Sequence, residues 1–356
     1  MNAAFARLTE DSLASDASAA LLLRDGEVIW SFEDPARDAD ELLHTASVTK
    51  FVVGLCVAHA VHSGLVGSVG DPASVWLTEW AGDDRSAITL RHLMTHTSGL
   101  PASWPQKDEA DPMTPIALAL EPTSPPGKSV AYNNHGAQLV AEVVRRASGK
   151  PIDEYAAANL FEPLGIARWR WNRGSDGLPF GMSALQLLPR DLARIGELSL
   201  ARGLWGEQRL FAEDWGEEDR RPGRPFGLLE QLIPEIDVVV DLEGCEQPGA
   251  ELDVAVRRLA GSTVPLNGAR SMWTTLGRAF GPAGVRDAFA ELRRLAPKIR
   301  FSRPTLQAHG HEGDGGQELW VVPSVGGVAI RMRDVLTKRP GPASAFTELA
   351  LEALLD

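Results

Sequence analysis

Apolar residues recur at three different spacings along this chain, and each spacing predicts a different element. Residues 19–33, AALLLRDGEVIWSFE, place Asp25-Gly26 between two aliphatic and aromatic runs, which predicts a β-hairpin and an antiparallel start to the fold. Residues 50–64, KFVVGLCVAHAVHSG, are apolar on nearly every side and stop at Gly64, which predicts a helix buried on most of its faces. In HGAQLVAEVVRRASG the apolar positions are 139, 140, 143, 144 and 147, a one-sided helical stripe with Gly149-Lys150-Pro151 as its stop. PRDLARIGELSLARG repeats that design, with Leu192, Ile195, Leu198 and Leu200 inward and Gly203 as the stop. ELWVVPSVGGVAIRMR returns to strand texture around Gly326-Gly327.

Strands at both ends around a helical middle predict an α+β sandwich: one antiparallel sheet built from the two termini and flanked by helices, beside a mostly helical second domain. The expected boundaries are 1–70 with 301–356 for the sheet domain and 71–300 for the helical one. Loops such as EPTSPPGKS punctuate the latter. Within it, 216–305 carries two expected helices, 250–260 and 285–296. That segment either enlarges the helical domain or forms a lid or wall of a cleft, and enlargement is the simpler expectation.

Composition narrows the function classes. The 356 residues are 44% hydrophobic and 23% charged, enough for a large core. With 48 acids against 35 bases the formal charge is −13, and no basic run exceeds pairs such as Arg145-Arg146 and Arg293-Arg294. Nucleic acid and anionic membranes are therefore poor partners. Cys56 and Cys245 offer neither a disulfide framework nor metal-ligand spacing, so both are expected reduced. The first residues lack a secretory pattern and no apolar run reaches the ~18 residues of a membrane span, so a cytoplasmic location is expected.

Three polar clusters carry candidate chemistry. The first is Ser47-Val48-Thr49-Lys50, at the mouth of the buried helix. Positions i and i+3 share a helix face, so Lys50 can reach Ser47; burial lowers a lysine pKa, and a neutral lysine is a base. A helix starting near Ala46 would also leave the Ser47 N–H free beside a developing oxyanion. Read alone, the tetrad is equally an ordinary helix start. The second is Tyr132-Asn133-Asn134, between a Pro-Gly loop and a helix, where a phenol beside a lysine can serve as a base and an asparagine can cap the helix. The third is His311-Glu312-Gly313-Asp314, in a stretch with glycines at 310, 313, 315 and 316 that allow close backbone approach to a ligand. An N–H of Gly313 or Asp314 is a candidate second oxyanion donor.

A metal site is the rival for that third cluster, since His309, His311 and Glu312 are ligand types. Successive strand residues point to opposite faces, so His311 and Glu312 do not share an ion easily. His92 and His96, at i and i+4, lack the glutamate of a zinc protease motif, and no metal or other cofactor is expected. There is no G-x-S-x-G elbow.

Together, Ser-x-x-Lys at Ser47 and Lys50, Tyr-x-Asn at Tyr132 and Asn134, and His-x-Gly at His311 and Gly313 resemble the serine β-lactamase and penicillin-binding-protein superfamily. The resemblance lies in its class C and esterase branch, with the D-aminopeptidases, 6-aminohexanoate oligomer hydrolases and lovastatin-type acyltransferases. DPASVWLTEW, ITLRHLMTHTSGLP, Pro126-Gly127 ahead of Tyr132, LFEPLGI, PRDLARIGEL and GHEGDGGQELWVVP look like signatures of the same family. They span about 18–215 and 305–335, roughly two-thirds of the chain.

The resemblance implies that Ser47 is acylated, that Lys50 and Tyr132 exchange its proton, and that Asn134 orients the acyl amide or the lysine. It also implies an oxyanion hole from the N–H groups of Ser47 and Asp314. The expected partner is a small ester or amide. Hydrolysis, acyl transfer to another nucleophile, and a non-catalytic scaffold all remain open. One departure bears on substrate: the superfamily's penicillin-recognising Lys-Thr-Gly is here His311-Glu312-Gly313. A carboxylate there would repel an anionic substrate by about 1 kcal/mol or more, so β-lactams are expected to be poor substrates.

Overall fold

The computed structural model describes residues 3–101, 112–220, 225–240, 263–265, 299–301, 305–335 and 344–355. Its elements follow from the spacings above. Helix α1 (Ala3–Ala14) precedes β1 (Ala19–Arg24) and β2 (Glu27–Glu33), which pair antiparallel. Asp25 and Gly26 both take positive φ, 51° and 81°, the backbone a two-residue hairpin of primed type demands. After a 3₁₀ turn at Ala46–Val48 comes α2 (Thr49–His62), buried from Thr49 through Ala58. Helix α3 (Asn134–Ser148) ends at Gly149 in the left-handed conformation, and α4 (Pro189–Leu200) starts with proline in its first turn.

The strand β3 (Thr305–Gly313) leads to β4 (Gln317–Val322), β5 (Gly327–Met332) and the closing helix α5 (Phe346–Leu355). Ala19 of β1 stands opposite Met332 of β5, and Arg24 opposite Gly327, so the sheet is built from the two ends of the chain. Strands β4 and β5 are buried at every position. That is why they read as continuous apolar runs: both faces are covered. On one face Gly196 of α4 brings the helix so close that a Cβ there would lie 2.7 Å from Val328 and 2.9 Å from Leu319. On the other, Trp320 Nε1 donates to Thr347 Oγ1 of α5 at 3.1 Å.

Two compact units result: Met1–Asp219 with Phe226–Gln231 and Gly310–Asp356, and Arg220–Pro225 with Leu232–His309. The first unit includes helices that the sequence assigns to a separate domain beginning at 71. The reason is packing: α2, α3 and α4 share one continuous apolar core with β4 and β5. The strand Gln231–Val240, in the second unit from Leu232 on, pairs antiparallel with Ile299–Phe301 and with Thr263–Pro265. A ten-residue strand thus stands inside a stretch the sequence suggests to be mostly helical. Pro234 within it hides the strand signal of IDVVV. The expected helices at 250–260 and 285–296, and Cys245, lie outside the described residues. No described helix is long and apolar enough to cross a membrane.

Candidate active site

Ser47 sits in the 3₁₀ turn that opens α2 and is partly exposed. The turn is pinned from below. Thr45 donates from both its N–H and its hydroxyl to the Leu185 carbonyl, each at 2.9 Å, and its hydroxyl lies 2.9 Å from that of Thr49. Ala46 is forced to a φ of 45°, a strained value for a residue with a Cβ. In this position the Ser47 N–H belongs to a first turn, whose donors lack intrahelical acceptors.

One turn on, the Lys50 side chain is fully buried. Its Nζ lies 2.9 Å from Ser47 Oγ and 2.8 Å from the Met182 carbonyl oxygen, and 5.0 Å from the centre of the Tyr132 ring. Burial pushes the lysine well below its ordinary value. The Tyr132 hydroxyl hydrogen-bonds Ser47, and burial pushes the phenol up to about 12 against the pull of that bond. Burial therefore disfavours both the ammonium of Lys50 and the phenolate of Tyr132.

Tyr132 is held at its position by its neighbours. Asn133 caps α3, its Oδ1 accepting from the Gly136 N–H at 2.8 Å while its Nδ2 donates to the Pro101 carbonyl at 2.7 Å. Asn134, buried, is the first residue of α3. His96 lies against the Tyr132 ring with centroids 4.7 Å apart, and Phe226 closes on both rings at 4.8 and 5.6 Å. His311, also fully buried, has its ring 6.2 Å from that of Tyr132. Its Nδ1 donates to the Glu312 carbonyl, and burial followed by Lys50 keeps the imidazole neutral.

The structure thus brings Ser47, Lys50, Tyr132 and His311 together. Glu312 is different. It is exposed, donates its N–H to Gln231 Oε1 at 2.9 Å, and lies near enough to Glu318 to raise that carboxyl's pKa. Alternation along β3 puts its side chain on the face away from His311. Gly313 has a structural reason: a Cβ would fall 2.8 Å from the Thr45 carbonyl oxygen, so the strand end presses on the turn that carries Ser47. Gly310 likewise abuts the Leu319 backbone, and Gly315 and Gly316 turn the chain with φ of 77° and 82°. Gly310 and Gly313 are thus required by close approach to the protein's own backbone, and Gly315 and Gly316 by the positive φ of the turn. Asp314, exposed, follows in that turn and accepts from the Gly315 N–H at 3.0 Å.

Among the described residues no cluster of three histidine, cysteine or acidic side chains could hold a metal. His92 instead completes a capping box, with its Nδ1 accepting from the Thr89 N–H at 3.2 Å and its own N–H donating to Thr89 Oγ1 at 3.2 Å. Two residues escaped the sequence reading. The spacing of His96 from His92 suggests only a metal pair, although His96 follows the Leu90–Met94 helix and leads into Thr97-Ser98-Gly99. Phe226 lies in a stretch with no local chemical signal.

The beta-lactamase family profile matches residues 5–354. An uncharacterized protein of Alkalihalophilus pseudofirmus is 29% identical over 214 residues, 53% of this chain and 58% of its own length. Esterase EstB of Burkholderia gladioli is 28% identical over 178 residues, 41% of this chain and 45% of the esterase. The chain therefore matches about half the length of these curated relatives. Among solved structures, a penicillin-binding protein homolog from Caulobacter crescentus superposes with a TM-score of 0.64 at 15% identity, covering 99% of this chain and 95% of the other, a likeness of fold.

Proposed function

This chain belongs to the beta-lactamase family, and on that premise we propose that it is a serine hydrolase that cleaves ester or amide bonds through an acyl-enzyme on Ser47. The observation that carries the reading is the 2.9 Å separation between Ser47 Oγ and the Nζ of a lysine that burial holds toward its neutral form. In the reaction the proton of the Ser47 hydroxyl passes to the Nζ lone pair of neutral Lys50 as Oγ bonds to the substrate carbonyl carbon. The Lys50 ammonium so formed passes a proton, through the Tyr132 hydroxyl, to the leaving alcohol or amine as its bond to the carbonyl carbon breaks. A water molecule then attacks the acyl-enzyme ester, giving one proton to the same base, which returns it to Ser47 Oγ as the bond from Oγ to the acyl carbon breaks and the acid leaves. The N–H groups of Ser47 and Asp314 are the proposed oxyanion donors, with Asn134 positioning the acyl portion.

Substrate charge follows from the same residues. His311 stands where penicillin-recognising relatives resemble one another in presenting a lysine, and its neutral imidazole offers no cation for a carboxylate. Neutral esters or amides are thus the favoured substrates over β-lactams. Similarity to an esterase supports the ester class. The test is intact mass after treatment with a fluorophosphonate probe. One adduct on the wild type and none on Ser47→Ala is expected; equal labelling of both removes Ser47 from the mechanism.

A further inference from the structure

His96 makes two hydrogen bonds that bracket Tyr132 in the chain. Its backbone carbonyl accepts from the Ala131 N–H at 2.8 Å, and its ring Nδ1 accepts from the Asn133 N–H at 3.2 Å. One residue therefore grips the backbone on either side of the tyrosine, and its ring packs tilted against the phenol, at 42° with centroids 4.7 Å apart, which restricts the phenol's direction as well. The grip costs backbone strain: His96 has a φ of 56°. Strained left-handed positions away from glycine persist where the surroundings over-determine them.

The ring's tautomer follows from this geometry. A nitrogen that accepts an N–H is unprotonated, so the proton of the imidazole is on Nε2. That Nε2 is buried and has no hydrogen-bond partner among the described residues. Ordinary structural histidines satisfy both nitrogens, since an orphaned buried donor is costly. Here one nitrogen is left unpaired while the other is spent on the Tyr132 segment, beside a lysine that must stay neutral to act. Burial, and after it Lys50, pushes His96 down to about 3, so it adds no positive charge next to that base.

We propose that His96, through Nδ1 and its carbonyl, is the positioning residue that holds Tyr132 in register with Ser47 and Lys50. This rests on the acyl-enzyme reading and adds a role for a residue outside the Ser47, Lys50 and Tyr132 group. His96 touches no reacting atom. It acts through the backbone of Ala131 and Asn133 and through ring contact with the phenol.

Two isosteres separate the ring nitrogens. In asparagine Oδ1 is bonded to Cγ, as Nδ1 is in histidine, so His96→Asn keeps an acceptor for the Asn133 N–H, and asparagine tolerates positive φ. In glutamine the amide lies one atom farther out, near the place of Nε2, so His96→Gln loses that acceptor. With p-nitrophenyl acetate as substrate and fluorophosphonate labelling as a second readout, His96→Asn should retain activity within about tenfold, and His96→Gln should lose about 10²-fold in kcat with KM little changed, the size of effect expected for a misplaced catalytic group. Thermal melting confirms that each variant is folded. If His96→Gln does not fold, a folded His96→Asn that loses more than about 10²-fold overturns the proposal on its own. Retention by glutamine with loss by asparagine assigns the work to Nε2 and overturns it too.

A double-mutant cycle distinguishes the two levels of inference. In a Tyr132→Phe background the effect of His96→Gln should disappear, because there is no hydroxyl left to position. Additive losses overturn the His96 proposal and leave the acyl-enzyme reading standing. Wild-type rates in Tyr132→Phe alone sink the role given to Tyr132 and the His96 proposal with it, whereas undiminished labelling of Ser47→Ala sinks the acyl-enzyme reading itself.

Discussion

Lys50 Nζ lies 2.9 Å from Ser47 Oγ, at the end of a side chain that is fully buried and whose other polar contact is the Met182 carbonyl at 2.8 Å. A neutral carbonyl and an alcohol do not offset the loss of hydration of an ammonium, so the charge is the costly state. Replacing Lys50 by methionine should therefore have opposite effects on activity and stability. Labelling of Ser47 should fall by at least about 10²-fold, the range for removing a general base. Stability should rise by about 0.5–2 kcal/mol, as when a function-bound strain is relieved. The native state binds fewer protons at Lys50 than the unfolded chain does below the ordinary value of 10.5. Wild-type stability thus falls as pH drops from that value toward the lowered one, and the advantage of Lys50→Met should shrink as pH approaches 10.5. Thermal melts across pH check this; a destabilised methionine variant would count against a neutral lysine.

The rate of Ser47 acylation should rise with pH along a single limb set by Lys50 and lying below the ordinary lysine range. His96, pushed to about 3, and Tyr132, pushed to about 12, place no break between them. Pseudo-first-order labelling rates at about pH 5 to 10 measure the profile, reporting the base of the free enzyme. A limb centred at the ordinary lysine value would show that burial does not tune this residue.

A neutral ester should be a better substrate than a β-lactam. His311 is buried and neutral at the position given to a lysine in penicillin-recognising relatives, which removes a charge-assisted hydrogen bond to a substrate carboxylate. Such a bond contributes about 1.5–3 kcal/mol, or roughly tenfold to a hundredfold in kcat/KM. Comparing p-nitrophenyl acetate with nitrocefin measures the gap. Nitrocefin turnover equal to that of the ester would remove the argument from His311, and adding amine or alcohol acceptors to the same assay reports any acyl transfer.

The legible parts of this protein are those in which local chemistry and tertiary demand coincide. Asp25-Gly26 encodes its hairpin because the turn needs two positive φ values. The stripe of α3 and the all-apolar α2 declare their burial because a helix repeats its environment every turn. The Ser47 to Lys50 spacing is itself a statement of distance. Glu312 was less legible: its residue type suggests a charge at the substrate, but which face of β3 it takes depends on the pairing of that strand. His96 was missed because its role rests on two bonds to residues 35 and 37 positions away, Ala131 and Asn133. The strand at Gln231–Val240 was obscured by a proline, and domain limits by a core that helices and sheet share.

Glu318 should make stability fall as pH rises through neutrality. It is buried between β4 and α5, where its Oε2 accepts from Trp320 Nε1 and Thr347 Oγ1, and burial raises its pKa from 4.5 to about 7. The native state therefore binds more protons than the unfolded chain between those values. The stability this contributes is complete below 4.5 and lost as pH rises through about 7. Glu318→Gln keeps an acceptor and removes the titration, so it should be more stable than wild type above neutrality, by on the order of 3 kcal/mol. Melting temperatures from about pH 4 to 9 decide it: parallel curves for the two proteins would mean that the carboxyl is not buried uncompensated.

Gly313 should matter more to acylation than to folding, and Gly310 the reverse. A Cβ at 313 would lie 2.8 Å from the Thr45 carbonyl oxygen and 3.0 Å from the Ala46 Cβ, so Gly313→Ala must push the end of β3 away from the turn that holds Ser47. The neighbouring Asp314 N–H, the proposed second oxyanion donor, moves with it, and such a donor displaced from its place costs about 10²-fold or more in rate. The overpacking itself should cost about 1–3 kcal/mol, since the displaced segment is an exposed turn that can yield. At 310 a Cβ would lie 1.9 Å from the Leu319 carbonyl oxygen, inside the sheet, where neither strand can yield without breaking its ladder. Gly310→Ala should therefore lose most of its folded yield, while whatever folds labels at a near-normal rate. Thermal melts beside probe labelling per folded molecule separate the two. If Gly313→Ala labels like wild type, the end of β3 is not part of the oxyanion site, and the second donor has to be sought elsewhere around Ser47.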